Sequence, residues 1–403
     1  MKIFYLSLTA VVVLTAHSAM AQAQQSNSNN IDVKNGHVYI GEVSQKVPLL
    51  NGAEDKAIAV GDKTKVGESA VAVGYEADAH LEGATAVGRG TKTQAYAVAM
   101  GYQANAGVQA VSIGNKSNAQ GNFAVALGNE ANAKGKSSFA IGRHSVAGDW
   151  ANAFGAQAKA TGMLSTALGW NANASGVRSQ AFGAESEARG SRSVSIGNIV
   201  KSTGNNSTSI GNDIFNSGNY SISIGNSNKV DKDKTVVVGN NIRNTAENSV
   251  FLGDSSAYVE KGETTGGIGK VDGNYAGVEA KGVVSVGSKG NERRIQNVAA
   301  GLLSHQSTDA VNGSQLHATN QRLEEVNKDA KAGIAAAMAF KDVPFVPGKW
   351  SYAAGAAHYS SESAVSLNLG RTSANGKYAI SGGISSDSRG RVGFRVGISG
   401  VFN

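Results

Sequence analysis

The chain has 403 residues, a formal net charge of +7 and no cysteine, which excludes disulfides, cysteine-ligated metal sites and cysteine nucleophiles. Charged residues make up only 17% of the sequence and prolines number 3, whereas glycines number 52. This glycine content therefore indicates turns and close backbone approach rather than low-complexity disorder. The positive residues form no run of five or more, so nucleic acid is not a predicted partner. A diffuse attraction to anionic matrix or cell surfaces stays open.

The N-terminus has the pattern of a secretory signal. Lys2 precedes an apolar stretch, Ile3 to Leu14, and small residues follow at the end of the segment. We predict a signal peptide over 1–23, cleaved after Ala21 or Ala23, and Sec export to the periplasm; a buried N-terminal helix is the alternative. The apolar stretch is too short to span a bilayer as a helix. Residues 24–56 form an N-terminal segment without a clear pattern.

The middle of the chain, 57–253, is a repeat. A glycine follows an apolar residue fifteen times, always 13 or 14 residues after the previous copy, and the residue two before the glycine is Ala or Ser in all but the last two copies. The glycines are Gly61, Gly74, Gly88, Gly101, Gly114, Gly128, Gly142, Gly155, Gly169, Gly183, Gly197, Gly211, Gly225, Gly239 and Gly253. Such a period predicts a solenoid whose coils bury their apolar surface against their neighbours.

Each repeat contains two short alternations, which predict two strands of about five residues joined by tight turns. Val71 and Val73 share one face of the first strand, and Ala72 lies on the other. We expect the larger apolar face to be buried within the stack. We expect the Ala/Ser face to pack against other rolls around a symmetry axis, because small residues permit close backbone approach.

After the repeats the pattern changes twice. Residues 254–291 contain an insertion, Asp254 to Lys281, followed by one more strand-plus-glycine unit that ends at Gly287. Residues 292–316 connect this unit to a heptad pattern that starts at Leu316 and continues through Leu323. We predict a short coiled-coil stalk and pore helix over 317–345. Because the heptads are few and rich in Ala and Gly, something should enclose their C-terminal half.

The last region, 346–403, contains four alternating segments: Trp350–Tyr359, Ala364–Thr372, Lys377–Ser385 and Arg391–Phe402. Such segments are typical of transmembrane barrel strands, with a soluble meander as the alternative. Four strands cannot close a barrel and an open sheet edge cannot lie in lipid. Three chains would supply twelve strands and a lumen that holds three helices. The predicted lumen residues are Arg395, Gly393, Gly397, Ser381 and Gly383, with Arg395 either contacting the passenger or helices or lying at the rim.

Several motifs resemble the YadA-like trimeric autotransporter adhesins of Gram-negative bacteria. Ala70–Gly74 and Asn248–Gly253 are similar to that family's head repeat, and Val346–Lys349 with the four strands looks like its membrane anchor. A third motif is similar to its neck: Asp309, Ala310, Val311, Asn312, Gly313, Ser314, Gln315 and Leu316. The resemblance implies a mainly β fold: a left-handed parallel β-roll head, a neck, a short coiled coil and a trimeric twelve-stranded barrel. Two departures are the short stalk and the C-terminal Phe402-Asn403, which makes Phe402 the predicted assembly signal.

The resemblance implies a homotrimer in the outer membrane whose barrel interacts with lipid and the barrel-assembly machinery, and exports its own passenger to the cell surface. It also implies attachment to host cells or extracellular matrix, with a collagen-like ligand as one possibility. A surface coat, autoagglutination or serum-resistance role is the alternative. No catalytic, cofactor or metal site is predicted, because the histidines occur singly and paired carboxylates are absent from the repeat. Trp150, Trp170 and Tyr220 are expected to pack between turns, with ligand anchoring as the alternative.

Overall fold

The computed structural model describes residues 31–34, 36–45, 56–260 and 275–402. The predicted cleavage positions Ala21 and Ala23, and most of the predicted insertion, lie outside the described residues. The chain divides into two compact units, one of residues 1–264 and 279–294 and the other of residues 265–278 and 295–403. Each unit is described by itself.

The first unit is a roll of stacked coils, in which each coil adds one strand to each of two parallel sheets. The first-sheet strands are His37–Ile40, Ile58–Val60, Val71–Val73, Thr85–Val87, Val98–Met100, Val111–Ile113, Val125–Leu127, Phe139–Ile141, Asn152–Phe154, Thr166–Leu168, Gln180–Phe182, Ile222–Asn226, Val236–Asn240, Val250–Leu252 and Val284–Ser285. The second-sheet strands are Val43–Gln45, Thr64–Val66, Asp78–Ala79, Lys92–Thr93, Asn105–Ala106, Asn118–Ala119, Asn132–Ala133, Val146–Ala147, Lys159–Ala160, Asn173–Ala174, Glu187–Ala188 and Lys229–Val230. Val194–Ser202 and Thr208–Asn216 run through both sheets.

Small residues line the interior of the roll in its middle coils, which overturns the predicted orientation, whereas larger side chains such as Val66, Ile242 and Phe251 are fully buried near its two ends. Ala72, Ala126 and Ala140 are fully buried inside the single chain, whereas the flanking Val125 is only half-buried. In the middle coils the two sheets face each other with alanine, serine and threonine side chains only, and this narrow interior leaves the larger apolar side chains on the outside. The Ala/Ser face therefore cannot be a contact between rolls, and the larger apolar side chains of the first sheet point outward.

The repeated glycines are required by the close stacking of the turns. Gly142 has φ +134°, and a Cβ at this position would lie 2.3 Å from the carbonyl oxygen of Gly155 in the next coil. Gly155 meets Gly169 in the same way. A side chain at these positions would strain the backbone and collide with main-chain atoms.

Residues outside the regular repeat complete the two ends of the roll. At the start, Ile31–Lys34 forms an antiparallel hairpin with His37–Ile40, which then pairs in parallel with Ile58–Val60. Stacking thus begins before residue 57. At the other end, Val250 pairs with Val284, which lies after the predicted insertion.

The second unit contains one long helix, α1 (Gly313–Ala339), and an antiparallel sheet. The sheet strands are Trp350–Tyr359, Glu362–Thr372, Tyr378–Asp387 and Val392–Gly400, paired in chain order. Ala332, Ala335, Ala336 and Ala339 are the buried residues of α1. In the part of the chain that the structure describes, no helix is both long and apolar enough to cross a membrane.

Candidate functional site

The seam face, formed by the outward side chains of the first sheet from Ile58 to Leu252, carries no charged residue and is mainly apolar. Its polar members are Thr85, Asn152, Thr166, Gln180 and Thr208. Several of its side chains are exposed in the single chain: Ile113 (40%), Leu168 (50%) and Ile224 (39%). A continuous apolar surface of this kind marks an interaction site on a soluble surface.

The outer face, formed by the outward side chains of the second sheet from Lys65 to Arg243, is polar instead. Equivalent side chains stack one coil above another, so that the Nδ2 of Asn105 donates to the Oδ1 of Asn118 over 3.1 Å. Lys65 and Asp78 form an ion pair of 3.5 Å on the same face. The two sheets of one roll thus present opposite chemistries.

The turns hold side chains in the left-handed backbone region twice per coil. Turns after the first sheet place mainly polar residues there, such as Glu76 and Gln103, whereas turns after the second sheet also place Tyr96, Phe123 and Trp150 there. Since bulky residues rarely adopt this conformation, the second set is unusual.

The exposed turn aromatics include all three predicted from the sequence. Trp150 is 43% exposed, Trp170 52% and Tyr220 64%. The Nζ of Lys136 lies 6.0 Å from the centroid of the Trp150 ring. Packing between turns is therefore partial, and a large part of each ring remains accessible.

Arg293 was missed by the sequence reasoning, although it closes the last coils. Its guanidinium donates to the carbonyl oxygens of Val286 (2.6 Å) and Asp254 (2.7 Å). Carbonyls at the end of a stack have no further coil whose amides could donate to them, so the two terminal nitrogens of Arg293 supply the donors here. A lone Arg outside the period gave no signal of this role.

The neck motif is held together by hydrogen bonds at the start of α1. The side chain of Asn312 accepts from the Gln315 amide, and the Gln315 side chain accepts from the Asn312 amide, which is a capping box. Gln315 also exchanges two bonds with Gly301: its Nε2 donates to the Gly301 carbonyl (2.7 Å) and its Oε1 accepts from the Gly301 amide (3.0 Å). A Cβ at Gly301 would lie 2.4 Å from the carbonyl oxygen of Ala310.

The rest of the neck motif extends this network on both sides. Asn312 donates to the Val298 carbonyl (3.1 Å), and the Asp309 carboxylate accepts from the Leu302 amide (3.0 Å). Gly313, Ser314 and Leu316 are in the first turn of α1, while Val311 is exposed. The motif thus fixes the direction in which the helix starts.

The inner face of the anchor sheet packs against the C-terminal end of α1. The Ser366 hydroxyl donates to the carbonyl of Ala339 over 2.6 Å, which satisfies one of the free carbonyls at the helix end. A Cβ at Gly383 would lie 2.0 Å from Asn368 Oδ1 and 3.1 Å from the Phe340 ring. Small residues on this face leave the room that the helix occupies.

The predicted lumen residues lie on the helix side of the sheet. A Cβ at Gly393 would lie 2.8 Å from the Ser385 hydroxyl, and a Cβ at Gly397 would lie 3.3 Å from the Ser381 hydroxyl. Arg395 donates to Asp342 Oδ1 over 2.8 Å, so its partner is a residue just after α1. Phe402 is 97% exposed, and its role as an assembly signal stays a prediction.

A second ionic contact joins α1 to the hairpin between the last two strands. Arg389 Nε and Arg391 Nη1 lie 2.5 Å and 3.4 Å from Asp329 Oδ1. Arg391 also pairs with Asp387 at 3.1 Å. The ionic contacts of Asp329 and Asp342 therefore tie α1 and the segment just after it to the sheet at two separate positions.

Among the described residues, no group of three or more His, Cys, Asp or Glu side chains could hold a metal ion. His144 pairs with Glu130 at 3.2 Å, and His80 with Asp78. Both pairs lie at the surface of the roll.

Three family models match the chain in the order of these regions. The YadA head domain repeat matches residues 66–91, 107–131, 121–145, 153–172, 174–198 and 217–241. The coiled stalk of trimeric autotransporter adhesin matches 294–337, and the YadA-like membrane anchor domain matches 344–402.

Curated proteins with similar sequences are adhesins. The trimeric autotransporter adhesin AtaA of Acinetobacter sp. (strain Tol 5) is 51% identical over 85 residues, which is 21% of this chain and 2% of that protein. The autotransporter adhesin BtaE of Brucella suis biovar 1 (strain 1330) is 60% identical over 53 residues, 13% of this chain and 7% of that protein. The chain therefore spans a small fraction of these relatives' lengths.

Among solved structures, the C-terminal YadA-like domain of a Burkholderia pseudomallei protein is 34% identical, with a TM-score of 0.23. The match covers 34% of this chain and 57% of that one.

Proposed function

Because this chain belongs to the YadA-like trimeric autotransporter adhesins, we propose that it is a homotrimer that attaches the bacterium to host cells or extracellular matrix. The family places it on the cell surface with an anchor in the outer membrane. In this proposal the roll presents the binding surface, the neck and α1 carry it, and the four-stranded sheet supplies a third of the barrel.

The observation that carries the proposal is the uncharged seam face. Burying apolar area of the seam face gains about 25 cal/mol per Å², and side chains such as Ile113 and Leu168 remain 40–50% exposed in one chain. Three parallel copies that turn this face toward a common axis would bury it along the length of the roll. The polar outer face then stays on the outside of the trimer.

The anchor sheet supports the same stoichiometry. Its outward side chains are apolar and exposed, as for Leu367 (55%), Phe394 (79%) and Val396 (82%). Its first and last strands, Trp350–Tyr359 and Val392–Gly400, each pair on one side only within the described chain. Because open edges are not tolerated in lipid, three copies would close into twelve strands around three helices.

The ionic contacts of Asp329 and Asp342 fit a helix that stays in the lumen once the passenger has been exported. Small lumen residues such as Gly383 and Gly393 would let the chain pass and then accommodate α1 beside Phe340. The finished trimer would display three copies of each stacked coil, so weak single contacts with a matrix protein or receptor would add by avidity. A collagen-like ligand is one candidate.

The alternative function, autoagglutination or a surface coat, is favoured by one observation. Bulky side chains occupy left-handed turn positions at Tyr96, Phe123, Trp150 and Leu164. Such exposed side chains could pair with another head on a neighbouring cell.

The test uses cells that display the full chain and otherwise identical cells without it. We expect the displaying cells to adhere to wells coated with matrix proteins, and the protein to migrate as a heat-resistant trimer on a denaturing gel. Clumping without adherence would favour the alternative. Migration as a single chain only would contradict both functions, since both depend on the trimer.

A further inference from the structure

Charge is segregated among the faces of the roll. Between residues 57 and 253 there are 17 Lys/Arg and 13 Asp/Glu, an excess of four. The outer face has eight Lys/Arg and three Asp/Glu, an excess of five positive charges. The turns have the remaining nine Lys/Arg and ten Asp/Glu, and the seam face has no charged residue. The basic residues of the outer face are Lys65, Lys92, Lys134, Lys159, Arg189, Lys201, Lys229 and Arg243.

Two of the three carboxylates on the outer face are already neutralised by neighbours. Asp78 pairs with Lys65 at 3.5 Å, and Glu187 accepts from Arg189 Nε over 2.6 Å. The other six basic groups have no ion-pair partner among the described residues, and all six are exposed. On the described outer face, basic groups without an ion-pair partner therefore outnumber the one remaining carboxylate, Asp231.

The basic groups follow the axis of the roll because the coils are in register. Lys201 pairs with Phe215, and Phe215 with Lys229, so these two lysines lie two coils apart, about 10 Å. Arg243 continues the row in the next coil. Phe215 is 42% exposed between the two lysines and offers an apolar ring face.

The amide groups of the outer face continue the row toward the start of the roll. Asn105, Asn118 and Asn132 occupy successive coils at the positions that carry lysines elsewhere, and a side-chain hydrogen bond joins the first two. An amide both donates and accepts, which suits sugar hydroxyls, whereas ammonium and guanidinium groups suit sulfate or carboxylate groups.

We propose that the outer face binds an anionic polysaccharide, sulfated or carboxylated, that lies along the axis of the roll. The inference rests on the proposed trimeric display, because the trimer leaves this face outside and triples its charge. Charge complementarity determines the ligand class. A nucleic acid would require several aromatic stacking platforms, and Phe215 is the single Phe, Tyr or Trp on this face within residues 57–253, while the His80 ring pairs with Asp78.

The experiment uses cells that display the full chain and measures their retention on heparin, desulfated heparin, dextran and double-stranded DNA. One variant carries Lys159→Gln, Lys201→Gln, Lys229→Gln and Arg243→Gln on the outer face. The matched control variant carries Lys116→Gln, Arg143→Gln, Arg192→Gln and Lys234→Gln in the turns, where the side chains are equally exposed. Both variants lose four positive charges per chain.

We expect the outer-face variant to lose about tenfold or more of its retention on heparin at physiological salt, and the turn control to lose less than about twofold. Raising the salt concentration should release the original cells, because exposed charges are screened. Both variants should still migrate as heat-resistant trimers.

Four results would overturn the inference: no retention on heparin, equal loss in both variants, equal retention on dextran, or equal retention on DNA. Adherence to matrix-protein wells is measured in parallel. Cells that adhere to matrix protein but ignore heparin refute only the polysaccharide inference. Cells that bind heparin but no matrix protein or host cell refute only the proposed attachment.

Discussion

The roll and the anchor sheet arrange their side chains in the same way for different reasons. In both regions small residues point inward and large apolar residues point outward: Ala126 is buried beside the exposed Ile113 in the roll, and Ser366 is buried beside Leu367 in the anchor. In its middle coils the roll has a narrow interior, filled by the alanine and serine side chains of both sheets. The anchor has a helix against its inner face. An apolar alternation therefore identifies two faces, but the space on each side decides which one is inside.

The largest expected effect tests how tightly the roll is stacked. Gly142→Ala should lower the free energy of unfolding of the roll by more than about 4 kcal/mol, because φ strain and a clash with the next coil add. This loss is measured by thermal unfolding of the full chain, with the protease resistance of the displayed head as the readout.

Two glycines serve as controls for that change. Gly90 occupies the turn position that Gln103 fills in the next coil, and a Cβ at Gly90 would meet only the Gln103 Cγ, at 3.6 Å. In the anchor, a Cβ at Gly382 would come no closer than 3.8 Å to any atom. Gly90→Ala should cost only about 1–2 kcal/mol, from its left-handed φ of +66°, and Gly382→Ala should unfold like the original chain. An equally large loss at Gly90 would show that backbone strain, and not stacking, makes glycine necessary.

The next prediction tests whether lipid covers the outward apolar face of the anchor sheet and whether other copies of the chain cover the seam face of the roll. Leu367→Arg should cost about 2–4 kcal/mol if this side chain faces lipid, and should reduce the amount of chain in the outer-membrane fraction. Ile113→Arg should leave that amount unchanged but lower the temperature at which the trimer dissociates on a gel. If Ile113→Arg had no effect on the trimer, the seam face would not be the contact between copies.

A smaller effect tests the orientation of one strand in the roll. Ala140→Leu should destabilise the roll by about 1–3 kcal/mol, because a larger side chain cannot fit between the sheets. Its neighbour Phe139, which is 39% exposed, should accept leucine with little change in the unfolding of the roll. The reverse ranking in thermal unfolding would restore the orientation that the sequence suggested.

The smallest expected effect concerns Asn219 and Asp233, a hydrogen-bonded pair in neighbouring coils of the roll. The amide and side chain of Asn219 donate to Asp233, with the amide at 2.8 Å, and these bonds lower the pKa of the carboxyl below its usual 3.8. Since the folded-state pKa is lowered, this contribution is present above pH 3.8 and disappears as the pH falls through the lowered value.

Asp233→Asn should therefore weaken the acid dependence of head unfolding slightly. Asp231→Asn removes the same charge two residues earlier, where no hydrogen bond to the carboxylate is found in the described part of the chain. An equal response in both variants would assign the acid dependence to net charge and not to the hydrogen bonds.

Much of this architecture is predictable because it is periodic. The spacing of the glycines predicts the stacked coils, and the alternation in residues 364–372 predicts the two faces of the second anchor strand. The inside of the roll is not predictable in this way, because the sequence does not state how far apart the two sheets lie. His37–Ile40 was missed because 17 residues separate it from the next first-sheet strand, Ile58–Val60.

The seam face and the outer face could also be predicted only in part from the sequence. The absence of charge on the seam face is visible in the sequence once the strands are placed, but the excess of positive charge on the outer face depends on knowing which side chains share a face. Arg293 has no periodic partner, so its bonds to Val286 and Asp254 could be found only in three dimensions. The neck residues were identified by resemblance, and their hydrogen bonds required the structure.

Both ends of the roll are closed by residues outside the regular repeat, and this affects how the length of the head can evolve. The hairpin at His37–Ile40 and the guanidinium of Arg293 close the two ends, and neither depends on how many coils lie between them. A recombination event that duplicates or deletes one whole repeat in the gene would lengthen or shorten the head by about 4.8 Å and leave both ends intact. Reach from the cell surface can thus evolve in discrete steps without a new fold.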